Sequence, residues 1–136
     1  MSRRVFLTLV SFVAVAVGSI AILAPHFLLV EVKRAVPNEA AEVMARTVSV
    51  LLVGVGALNF LVRDHGETAS LRAVLIAELV IQIGLVPIDP LAYLQGVFAT
   101  PAAFLPNTIL HLLLAAGCVH FLRGSRRGQR YGERVI

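Results

Sequence analysis

The chain has 136 residues, 58% hydrophobic and only 15% charged, whereas soluble domains average about 45–50% apolar and about 25% charged. That length leaves room for one domain and excludes a dinucleotide-binding fold or a strand–helix barrel. The single cysteine, Cys118, excludes an intrachain disulfide framework and any thiolate zinc or iron–sulfur site. A formal charge of +4 does not point to nucleic acid, because Arg123, Arg126, Arg127, Arg130 and Arg134 gather in one short tail without an aromatic platform.

The first apolar run, Val5 to Ala24, carries no charge and is long enough to cross about 30 Å of hydrocarbon as a helix. Arg3 and Arg4 before it also suit a signal peptide, but the run is long for one and Ala24-Pro25 makes a poor cleavage site. A retained span is therefore expected over about 5–24. The second span, about 43–63, is announced by Pro37-Asn38 followed by Glu39 and Glu42, a capping residue with acids in the first turn. The third, about 70–86, stops at Pro87, which with Pro90 brackets a turn at Asp89. The stretch Leu91 to Ala102 is apolar but too short to span, and with Tyr93, Phe98 and Phe104 it reads as interfacial or re-entrant. The fourth span, about 104–122, tolerates Pro106 in its first turn and is expected to stop at Gly124. Residues 123–136 form a basic tail.

The expected fold is all-α, an antiparallel four-helix bundle in a membrane, forming one domain over 1–136. With the N-terminus inside, nine basic residues lie on the inner side, namely Arg3, Arg4, Arg63, Arg72 and the five of the tail. Only Lys33, Arg34 and Arg46 lie on the other. This bias predicts a multi-pass protein of the bacterial cytoplasmic membrane with both termini cytoplasmic.

The first span is chemically quiet, with Thr8, Ser11 and Gly18 forming a small-residue seam. The other three carry polar stripes. Glu78 and Gln82 are four apart, as are Asn107 and His111, so each pair shares a helix face. Arg46, Ser49, Gly56 and Asn59 fall within one broad arc of the second span. Glu78 is the one fully intramembrane acid, and such a group faces a bundle interior or a wet cavity. It has two readings. In one, Glu78 hydrogen-bonds Gln82 or Asn59 and glues helices together, His111 is a satisfied core histidine, and Arg46 snorkels to the interface. In the other, Asn59, Gln82, Asn107 and Arg46 help line a pocket, while Glu78 and His111 form a catalytic proton donor and acceptor pair. No metal site is expected, since His111 and His120 lie on opposite faces of one helix. No cofactor motif is present either.

The stretch Ala45-Arg46, Leu51-Leu52, Gly54, Gly56 and Leu58-Asn59-Phe60-Leu61-Val62-Arg63-Asp64, with Ala24-Pro25 and the run His111 to Gly117, resembles small bacterial membrane proteins of the DoxX-like kind. The resemblance covers most of residues 5–123 and implies a four-helix bundle without a settled activity or a catalytic residue to carry over. A more distant likeness, to four-helix sterol-isomerase-like proteins with buried acids, rests on Glu78 alone.

Two functions follow as expectations. The first is binding of a hydrophobic small molecule (a lipid, quinone or isoprenoid) at a polar intramembrane pocket, with isomerase or cyclase chemistry as one form of it. The second is an accessory or assembly subunit, packing on another membrane protein or on itself through Ser11, Gly18, Gly54, Gly56, Ala115, Ala116 and Gly117.

Overall fold

The computed structural model describes the backbone of residues 1–132 and the side chains of residues 1–124. Among these, every regular element is helical. The order is α1 (Arg3–Leu23), a short α2 (Pro25–Phe27) running into a π turn (Leu28–Val32), α3 (Glu39–Val62), α4 (Ala69–Leu85), α5 (Ile88–Leu94), a 3-10 turn (Pro101–Ala103) and α6 (Leu105–Gly132). Four helical segments are long and apolar enough to cross a membrane: Arg3–Leu23, Glu39–Val62, Ala69–Leu94 and Leu105–Gly124.

Local chemistry sets the helix starts. Ser2, Asn38 and Thr68 each accept a backbone N–H with the side chain, from Val5, Ala41 and Leu71 respectively, satisfying donors that the first turn leaves without partners. Pro106 sits in the first turn of α6, where its missing N–H costs nothing. Two boundaries differ from the sequence expectation. Asp89 lies in the first turn of α5 and not in a turn outside a helix. Pro90 is compatible with that position, because first-turn N–H groups have no intrahelical acceptor. Gly124 does not stop the last helix, which continues to Gly132; a glycine inside a helix costs only about 1 kcal/mol. Arg134 and the side chains of Arg126, Arg127 and Arg130 lie outside the described residues.

Helix α1 packs chiefly on α3, and α4 chiefly on α6. The first contact is close. A Cβ on Gly18 would meet Val53 Cγ2 at 2.8 Å and the Ser49 carbonyl oxygen at 3.0 Å; one on Gly56 would meet Val15 Cγ2 at 2.8 Å and the Ser11 carbonyl oxygen at 3.1 Å. The apolar core then joins the two pairs, with Phe6, Leu7 and Val10 of α1 against Leu71 and Leu75 of α4 and Cys118 of α6. Phe6 occupies the space a side chain at Gly117 would need. At the opposite end Phe98, Ala103 and Phe104 form a second, smaller core with Ala35, Ala92 and Tyr93. Gly96, at φ +78°, turns the chain after α5 through a conformation that other residues adopt at a cost.

Candidate functional site

Three helices bring their polar stripes together between the two cores. Asn59 of α3 donates from Nδ2 to Glu78 Oε1 of α4. Gln82, one turn further along α4, donates from Nε2 to Glu78 Oε2 at 3.2 Å. Gln82 Oε1 then lies 2.6 Å from His111 Nδ1 of α6. Asn59, Glu78 and Gln82 are 0%, 3% and 7% exposed, while His111 is half-buried. The result is one continuous hydrogen-bonded line with its carboxyl group sealed inside and its imidazole at the edge.

The sequence spacing explains the convergence. Glu78 and Gln82 occupy the same face of α4 as Leu71 and Leu75, the face carrying the core contact. Asn59 follows Ser49 and Gly56 along the buried face of α3. In hydrocarbon these polar atoms have no solvent to pair with, so they pair with each other. Glu78 and His111 do not touch directly, because Gln82 stands between them.

Two expected ligand-binding residues lie elsewhere. Asn107 donates from Nδ2 to Asp89 Oδ2 at 2.8 Å, and the same oxygen pairs with Lys33 Nζ at 2.6 Å. This second cluster starts one helical turn from His111 and ties the π turn, α5 and α6 together. Lys33 and Asp89 are 21% and 13% exposed, and the Lys33 ammonium sits 5.6 Å from the Phe98 ring centroid, within cation–π range. Arg46 does not join either cluster. It is exposed, with Nη2 3.9 Å from Glu42 Oε2 one turn earlier on α3.

The sequence reading missed the pairing of Lys33 with Asp89. Opposite charges lacking regular spacing, 56 residues apart, carry no sequence signal of contact. It also passed over Thr108, whose buried Oγ1 has no partner, as has the buried Oδ1 of Asn59. Thr108 stands three residues before His111 on α6, a spacing that marks one helix face.

Among the described residues, neither of two prominent surface grooves is lined by the polar line. One, of about 630 Å³, is bordered by Glu67, His120, Phe121 and Arg123 at the end carrying the N-terminus. The other, of about 360 Å³, is apolar and lies between α1 and α3 beside Thr8, Ser11, Phe12, Val15, Ala57 and Phe60. The buried members of the line fill their space with one another, so the part open to the surroundings is His111. Among the described residues no group of three or more His, Cys, Asp or Glu side chains could hold a metal ion. Comparison with family models, with curated proteins and with solved structures finds no match.

Proposed function

We propose that this protein is an antiparallel four-helix protein of the bacterial cytoplasmic membrane that holds the polar end of a hydrophobic small molecule at His111. Lipids, quinones and isoprenoids form the ligand class. Both termini lie in the cytoplasm, and the stretch around α5 lies at the opposite interface, consistent with the distribution of arginine and lysine. We place the chain beside the DoxX-like proteins on the Ala45-to-Asp64 stretch, Ala24-Pro25 and the run His111 to Gly117.

One observation carries this reading: a polar line built from three helices ends in a half-buried imidazole. Adhesion accounts for the bonds of Glu78 to Asn59 and Gln82 but does not ask for an extension to a half-buried imidazole. Any isomerase or cyclase step would run through His111, with Glu78 acting at one remove through Gln82.

The accessory-subunit reading ranks second, because most of its small residues are already engaged inside the chain. Ser11, Gly18 and Gly56 form the α1–α3 contact and Gly117 receives Phe6, while Gly54 and Ala116 face outward.

Lipid extraction and mass spectrometry of the purified protein test the proposal. One apolar species should co-purify well above the bulk membrane profile, and a stable Glu78→Gln variant should retain less of it. Unchanged content in that variant rejects the proposal. For the topology, a cytoplasmic reporter fused after Ile136 should be active and a periplasmic one silent; the reverse pattern overturns the orientation.

A further inference from the structure

The hydrogen bonds of the polar line leave an acceptor at its outer end. Glu78 takes one N–H from each amide, from Asn59 Nδ2 and from Gln82 Nε2. Committing Gln82 Nε2 to the carboxyl group turns Gln82 Oε1 toward His111 Nδ1, 2.6 Å away. A carbonyl oxygen only accepts, so the proton of this contact sits on Nδ1 of the imidazole. A neutral imidazole with its proton on Nδ1 presents a bare lone pair at Nε2. No partner for that atom is found among the described residues.

We propose that His111 Nε2 accepts a hydrogen bond from a neutral hydroxyl group on an apolar body, an alcohol or a phenol. Gln82 is the positioning residue: its amide, oriented by Glu78, sets which imidazole nitrogen faces the ligand. This rests on the ligand-binding reading above and narrows its ligand class. A ketone, ester or oxidised quinone offers only acceptors, which would set lone pair against lone pair. An ammonium group would have to shed its hydration at membrane depth, at a high cost. The nearest cation cannot compensate an anionic head either, since Lys33 is paired with Asp89.

The test uses the full chain in detergent micelles with two probe pairs: a long-chain primary alcohol and its methyl ether, and a prenylated hydroquinone and its dimethyl ether. The hydroxylated member of at least one pair should bind at least tenfold tighter than its ether, and the pair that responds identifies the source as aliphatic or phenolic. Nitrogen-15 NMR of labelled histidine should show His111 protonated at Nδ1, with the Nε2 resonance moving on addition of the tighter probe. A folded Gln82→Leu variant should lose both the single tautomer and the hydroxyl preference, which a purely structural role would not require. Equal binding of hydroxyl and ether overturns the inference but leaves ligand binding standing. Binding of no probe overturns both. A His111 protonated at Nε2, or an unchanged tautomer in Gln82→Leu, overturns the inference by itself.

Discussion

The two main helix contacts of this protein hold by opposite means. Between α1 and α3, adhesion comes from close backbone approach at Gly18 and Gly56. Among the described residues no side-chain hydrogen bond crosses between them, and Ser49 Oγ returns to its own helix at the Ala45 carbonyl, 2.6 Å away. Between α4 and α6, by contrast, a glutamine meets a histidine, with a buried carboxyl group behind them. Small-residue packing is sufficient to associate helices in an apolar solvent, where dispersion acts over whatever distance the side chains allow. A buried Glu, Gln and His are therefore not required for adhesion, which is why the proposed function is placed at their contact.

Substitutions test this contrast most severely at the glycine seam. Gly56→Leu pushes side-chain carbon into Val15, Ala14 and the Ser11 carbonyl oxygen, and overpacking of this kind costs about 3 kcal/mol. Thermal unfolding in detergent should show the largest loss here, and wild-type stability would break the close-approach picture of α1 and α3. Next comes Glu78→Leu, which strips the acceptor from Asn59 and Gln82 together. A loss of about 2 kcal/mol is expected, and Glu78→Gln should lose less than half of that. Equal losses would mean that both carboxyl oxygens are needed as acceptors, since glutamine keeps the shape but only one of them.

A smaller effect is expected at the second cluster. Lys33→Met leaves Asp89 with Asn107 as its remaining partner and should cost about 1 kcal/mol, between the usual values for exposed and buried pairs. Urea titration of the purified protein measures it; a gain in stability would show that the pair is held for orientation of the α5 segment and not for stability. The smallest effect belongs to Gly54→Ala and Gly84→Ala. A Cβ at either site meets nothing within 4 Å, so each change should be neutral or stabilising by up to about 1 kcal/mol. A clear loss at Gly54 in membranes but not in detergent would revive an outward docking face.

The sequence alone determined the elements and much of the site's membership. An uncharged run and an Asn38 cap followed by Glu39 and Glu42 are local signals, and local signals survive folding because helix formation is satisfied within a segment. Polar residues four apart, Glu78 with Gln82 and Asn107 with His111, revealed which faces could not meet lipid. Tertiary structure decided the pairing. Asn107 turned to Asp89 and Lys33 and away from Glu78, Arg46 stayed at the surface, and Gln82 took the place between Glu78 and His111. Those outcomes depend on helix rotation and offset, which differ by a few ångströms between arrangements that bury the same apolar area. Hydrophobic patterning fixes which face turns inward to within a broad arc. Only packing, here the glycine approach of α1 to α3 and the seat of Phe6 on Gly117, brings one polar atom within hydrogen-bond reach of another, an interaction lost beyond about 3.5 Å.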